Sequence, residues 1–185
     1  DFENSYLYPD DKTSGVFDLG YFKANVNKLS DYKEFEIVQS ENNERALLIR
    51  WIVDSDAKQA KLSGGVIMAS EAGSFNPSGI TVLDFSIKAN QVYIFSLDAQ
   101  YAVGKTCNLF TLRNGTQFSV KGNSWINIAT ATGDYQRIRV VLDTKSRRHM
   151  VLIDNKIVYS QEYPSTWVFG NNGLLRFQLT GGKAV

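Results

Sequence analysis

The stretch Asp134–Ser160, DYQRIRVVLDTKSRRHMVLIDNKIVYS, decides the fold class, because three apolar-alternating runs are joined in it by two short polar turns. Side chains two residues apart share one face of a strand. Ile138, Val140 and Leu142 therefore form one face, while Tyr135, Arg137 and Arg139 form the other. The spacing predicts a meander of adjacent antiparallel strands with one side turned to a core and arginines on the other. The same division recurs outward along the chain. Leu83, Phe85 and Ile87 oppose Asp84 and Ser86; Tyr93, Phe95 and Leu97 oppose Ser96 and Asp98; Leu175, Phe177 and Leu179 oppose Arg176 and Gln178.

Short β-branched and aromatic runs recur about every ten residues, the spacing of a sandwich or barrel, and few segments have helical periodicity. Eleven strands are expected: Phe35–Gln39, Ala46–Val53, Gly65–Ala69, Thr81–Lys88, Gln91–Asp98, Asn108–Arg113, Thr116–Lys121, Arg137–Leu142, His149–Ile153, Lys156–Ser160 and Leu174–Leu179. Asn114-Gly115 supplies the positive φ angles of a type I′ turn and predicts a two-residue hairpin; Asp154-Asn155 predicts a second. Gly, Ser, Asn and Asp dominate residues 54–65, 70–79 and 170–173, which read as loops. The amino-terminal 1–30 has aromatics without a steady period. The expected architecture is a single all-β domain over residues 1–185, a two-sheet antiparallel sandwich.

Composition restricts the function classes. A chain of 185 residues buries a full core without staples. Twenty basic against 19 acidic residues leave a net charge of +1, no global field for nucleic acid or an anionic membrane. No apolar run approaches the roughly 18 residues of a membrane helix, and no signal peptide stands at Asp1. A start at Asp rather than Met reads as a processed or excised domain. The single Cys107 excludes an internal disulfide and reads as a small apolar strand residue. No Gly-rich phosphate loop, Gly-x-Ser-x-Gly elbow or spaced Cys/His set is present.

The phrase Asp134–Asp143, followed by Met150–Ile153 and then Asp154-Asn155-Lys156-Ile157-Val158, resembles the carboxy-terminal part of concanavalin-like and laminin-G-like jelly rolls. In these an aromatic opens one strand and an Asp-Gly-Lys-type turn closes the next hairpin. Asp1-Phe2-Glu3 with Tyr6 and Tyr8 is similar to the start of sandwich modules attached to secreted polysaccharide-degrading enzymes. The resemblance implies a jelly-roll sandwich and carbohydrate binding, or in some relatives glycoside hydrolysis or polysaccharide elimination. It also implies a secreted or cell-surface location and a monomeric domain of a larger enzyme, with polysaccharide as partner and neither nucleic acid nor membrane. No cofactor is required. A structural calcium ion, common in such sandwiches, would find oxygen ligands in Asp1, Glu3, Asp54 and Asp56 with loop carbonyls.

The enzyme readings meet obstacles in the residues. Retaining glycosidases of this fold space their acids Glu-x-Asp-x-x-Glu along one strand. Glu34-Phe35-Glu36-Ile37-Val38-Gln39 comes nearest, and Gln39 cannot donate the proton the general acid must supply. A lyase needs a Tyr or His base and a group that stabilises an enolate-like intermediate. The lone His149 reads as a solvated residue at a turn edge, which leaves Tyr135, Arg137 and Arg139.

Binding needs flat aromatic faces for the apolar side of a sugar and planar polar groups for its hydroxyls. If Arg137, Arg139, Arg176 and Arg50 gather on one concave sheet with Gln178 and Tyr135, their guanidinium forks suit uronate carboxylates. Cross-strand salt bridges to Asp84 or Asp98 are the competing use of the same arginines. Trp125, Trp167, Tyr101 and Tyr163 fall in or beside expected loops. Trp167 and Tyr163 lead as stacking platforms, because Pro164, Ser165 and Thr166 suggest an exposed turn around them. The expected function is a non-catalytic carbohydrate-binding module for an acidic polysaccharide. A Tyr/Arg polysaccharide lyase and a laminin-G-like adhesion domain are the alternatives.

Overall fold

The computed structural model describes the backbone of residues 15–19, 22–26, 33–39, 45–51, 65–70, 75–88, 93–170 and 173–181, and side chains within 75–88, 94–170 and 173–178. All regular structure among these residues is strand: β1 Gly15–Leu19, β2 Phe22–Val26, β3 Lys33–Gln39, β4 Arg45–Trp51, β5 Gly65–Ser70, β6 Ile80–Lys88, β7 Tyr93–Ala102, β8 Lys105–Arg113, β9 Gln117–Lys121, β10 Trp125–Thr130, β11 Tyr135–Asp143, β12 Arg148–Ile153, β13 Lys156–Glu162 and β14 Leu174–Gly181. Among the described residues no helix is long and apolar enough to cross a membrane. The eleven expected strands are all present, with ends shifted by a few residues. Sequence reading missed β1, β2 and β10, which lack clean alternation.

The strands form an eight-stranded sheet in the order β1-β2-β5-β14-β7-β8-β9-β10, a four-stranded sheet β13-β12-β11-β6 and a two-stranded sheet β3-β4, with every pairing antiparallel. Alternation explains how the first two meet. Leu83, Phe85 and Ile87 of β6 turn inward and Asp84 and Ser86 outward. Phe85 lies 5.8 Å from Phe110, 5.9 Å from Phe95 and 6.2 Å from Phe177, so one aromatic of the small sheet meets three strands of the large one. Around it Leu97, Leu109, Leu112, Phe118, Ile138, Val140, Leu142 and Val151 have no exposed surface. Burying such side chains contributes about 1.5–3 kcal/mol each relative to exposure, and this interior holds the two sheets face to face.

The turns follow their chemistry, with one correction. Asp154 and Asn155 have φ of 49° and 67°, and Ile153 pairs with Lys156, the expected two-residue hairpin. Asn114 and Gly115 also have positive φ, 52° and 64°, and the Thr116 N–H donates to the Arg113 carbonyl. Yet Arg113 pairs with Gln117, not Thr116, so the loop has three residues. The Thr116 carbonyl instead accepts from the Ala131 N–H, which draws this residue out of the β8–β9 ladder. A further irregularity lies between β7 and β8, where Leu97 pairs with Phe110 but Asp98 with Asn108. Leu109 is the extra residue of this β-bulge, and a bulge frees backbone groups from the ladder.

His149 uses that backbone. It was expected at a solvated turn edge and is instead 2% exposed, on the inward face of β12 with Val151 and Ile153. Its ring bonds to the backbone of Leu109 and lies 5.2 Å from Tyr159, and Nε2 has no partner among the described residues. Period two puts His149 with Val151 and Ile153, and the inward side won because the bulge offers a buried acceptor. Burial lowers its pKa from 6.5 to about 4. Cys107 is buried as expected; its thiol donates to the Ala99 carbonyl at 3.4 Å, and burial pushes its pKa up to about 12.

Candidate functional site

The arginines divide between two surfaces. Arg137 and Arg139 project outward from β11 in the four-stranded sheet, whereas Arg176 and Gln178 project outward from β14 in the eight-stranded sheet. Because the two sheets meet through their inner faces, these outer faces look in opposite directions. No single platform unites the three arginines. Arg50 lies on β4, in the two-stranded sheet, and its side chain is outside the described residues, as are Asp1, Glu3, Asp54 and Asp56. Among the described residues no group of three or more His, Cys, Asp or Glu is placed to hold a metal. The near-motif Glu34–Gln39 lies on β3, again with its side chains undescribed.

On the four-stranded sheet, Asp84 of β6 stands directly opposite Arg139. Arg137 donates through Nε to Asp84 Oδ1 at 2.8 Å and through Nη2 to Oδ2 at 2.6 Å, and Arg139 Nε donates to the same Oδ2 at 3.0 Å. The Arg137 hydrogen bonds lead in holding the Asp84 carboxyl below its ordinary value, and Asp84 in turn raises Arg137. One carboxylate thus answers two guanidiniums, the cross-strand use of these residues. Tyr135 is exposed beside Lys88, whose Nζ is 5.2 Å from the ring centroid.

The outer face of the eight-stranded sheet is organised differently. Gln178 pairs with Ser96, Ser96 with Thr111, Thr111 with Ser119 and Ser119 with Asn127, so five side chains able to hydrogen-bond stand in register across β14, β7, β8, β9 and β10. Beside them Arg176 pairs with Asp98 and Asp98 with Asn108. Asn108 binds this second row together. Its amide donates to Asp98 Oδ1 at 2.9 Å and to Thr111 Oγ1 at 2.8 Å, and its oxygen accepts the Lys121 N–H at 3.0 Å. Ser96 Oγ donates to Asp98 Oδ2 at 2.9 Å. Both oxygens of Asp98 are thereby engaged by neutral donors, although Arg176 stands opposite; Arg176 Nε is buried without a partner among the described residues.

At the β10 end Trp125 pairs with Lys121 and has 40% of its surface exposed. Lys121 Nζ is 5.5 Å and the Arg113 guanidinium carbon 4.9 Å from its ring. By register Lys121 and Arg113 stand on the two sides of the Thr111–Ser119 row, and both reach the indole; Thr111 and Ser119 have no exposed surface. The loop-borne aromatics favoured by the sequence lie elsewhere. Tyr163 and Trp167 stack on one another at 5.4 Å and 14°, with Tyr163 buried and Trp167 half-buried against the core. Pro164, Ser165 and Thr166 are exposed as expected, while the rings turn inward. Tyr101 is half-buried against Phe169.

No protein-family model matches this chain, and none of the curated protein sequences does. Among solved structures it is similar to a glycoside hydrolase family 16 endo-glucanase from Bacteroides ovatus, at a TM-score of 0.57 and 11% identity over 99% of this chain and 86% of that one. The laminarinase catalytic domain from Thermotoga maritima MSB8 gives 0.50 and 10%, over 94% and 71%. A sialidase gives 0.57 and 18% over 87% of this chain, which spans 13% of the sialidase. At these identities the likeness establishes the fold: the chain is a concanavalin-like jelly-roll β-sandwich.

Proposed function

We propose that this chain is a secreted, non-catalytic carbohydrate-binding module that holds a larger polysaccharide-degrading enzyme on a uronate-containing polymer. The observation that carries the reading is the outer sheet face on which Gln178, Ser96 and Asn127 keep exposed surface in register with the fully buried Thr111 and Ser119, flanked by the Arg176–Asp98–Asn108 row and closed by the exposed indole of Trp125. It joins hydrogen-bonding groups to an aromatic face on one sheet surface, as sugar recognition requires. The solved structures of the same fold support a carbohydrate partner: a glucanase captured with an oligosaccharide ligand, a laminarinase and a sialidase. The module would work by proximity, since a tethered enzyme meets cleavable chain at a raised effective concentration.

Affinity electrophoresis of the isolated domain against pectin, alginate, xylan and β-glucan tests this, alongside assays for reducing ends and unsaturated products. Retardation by an acidic polymer without product formation is the expected result. Formation of product would replace the module with a catalyst. Failure to bind any glycan would favour an adhesion domain with a protein partner.

A further inference from the structure

The cationic side chains of the described surface differ in how they are answered. Arg137 and Arg139 share Asp84, and Arg147 pairs with Glu162. Arg113 and Lys121 make no ion pair with a described acid; both are drawn to the indole of Trp125. Two positive charges therefore converge on one half-open aromatic ring at the end of a hydrogen-bonding row, with no acid of the described residues paired to either.

We infer that Trp125, Arg113 and Lys121 form an acid-sugar subsite, in which a sugar ring stacks on the indole and its acid group takes the two cations. This rests on the polysaccharide reading above and assigns the recognition of charge to residues other than the Arg137–Arg139 pair. The exchange it requires is favourable in kind. A cation over an exposed ring is held weakly, whereas the same cation on a carboxylate forms a charge-assisted hydrogen bond. Both side chains are long, so they leave the ring face for a ligand without moving the backbone. The floor beneath is rigid. Ser119 Oγ donates to Asn127 Oδ1 at 2.9 Å, which leaves the Asn127 amide hydrogens for a sugar hydroxyl, and the Lys121 N–H is fixed on Asn108. Asp98, the nearest acid in the rows, is turned to Ser96 and Asn108 and offers the cations no competing partner.

The test is titration of the whole domain with polygalacturonate, alginate, a sulfated galactan and neutral xylan, in the native protein and in three variants. Arg113→Gln combined with Lys121→Gln should weaken binding of the acidic polymer by about tenfold or more and leave the neutral one unchanged. Trp125→Ala should weaken both. Arg137→Gln with Arg139→Gln should alter neither. Preference for carboxylated over sulfated polymer identifies the acid as a uronate, and the reverse identifies a sulfate ester; either supports the subsite. Unchanged acidic affinity in the folded Arg113/Lys121 variant overturns the inference. So does glycan binding by the native protein without preference for charge, which would leave carbohydrate binding intact and remove only the uronate-containing polymer, whereas absence of all glycan binding removes both. Should the double variant fail to fold, the indole N–H resonance of Trp125 in the native protein reads the same point. It should shift on addition of galacturonate oligomers, and a stationary resonance counts against the subsite.

Discussion

His149 is the residue whose environment departs furthest from its sequence pattern, and the departure has a measurable consequence. Its pKa lies at about 4 in the fold against 6.5 in a solvated chain, because burial disfavours the imidazolium. Above pH 6.5 both states are neutral and the group adds nothing to the pH dependence. As pH falls from 6.5 to about 4 the unfolded chain takes up a proton that the folded chain refuses, so stability falls, by up to about 3 kcal/mol, and then levels off. Asp84 and Asp143 are held below the ordinary carboxylate value of 3.8, and their contributions are lost at lower pH. Among the described groups, the interval between pH 6 and 4.5 therefore belongs to His149. Melting midpoints of the native domain should drop across it. His149→Leu should start lower at pH 7, since it strands a buried backbone acceptor at a cost of about 1–3 kcal/mol, but should stay flat over the same interval. An unchanged slope in the variant would show that another group governs the loss. The inward placement was illegible in the sequence because alternation assigns His149 to a face without saying which face is buried, and the bulge that supplies its partner lies forty residues upstream.

At the scale of elements, alternation locates strands well and registers poorly. Asn114-Gly115 announced the β8–β9 hairpin, but a two-residue loop would have set Thr111 opposite Phe118, an outward residue against an inward one. The three-residue loop sets it opposite Ser119. A slip of one residue exchanges the faces of a strand, so the polar row could not be assembled until the loop length was known. Trp125 stood out as an aromatic in or beside a loop, and the structure places it at the start of β10, whose first three residues are exposed. The segment before β6 gives a sharper prediction. A Cβ at Gly173 would stand 1.8 Å from the Phe75 carbonyl oxygen, where the Phe75 N–H also donates to the Gly173 carbonyl at 3.2 Å. Gly173→Ala must separate the two segments or break that contact, and should destabilise by at least about 1–3 kcal/mol in denaturant unfolding. A variant as stable as the native domain would mean that β14 and the Phe75 segment are not held together there.

For the whole molecule, the sequence specified two layers and the composition of each face, because apolar alternation survives in β6, β11, β12 and β14. It did not specify which strands share a sheet, since parity is blind to long-range pairing, and so it pooled arginines that lie on opposite surfaces. The interior between those surfaces is dominated by Phe85, Phe95, Phe110, Phe118 and Phe177. Phe110 has no exposed surface and touches three of the others. Phe110→Ala should cost about 3–5 kcal/mol, read as a fall in denaturation midpoint with unchanged slope. A loss well under 1 kcal/mol would place the joint between the layers elsewhere.

The row from Gln178 to Asn127 crosses five strands. Neighbouring strands rotate by about 20–25°, so its two ends are turned through about 80–100°. A flat, crystalline ribbon could lie against only part of such a propeller-shaped track. A hydrated polymer that winds about its own axis could meet Gln178 and Ser96 at one end and Asn127 at the other, across the buried Thr111 and Ser119.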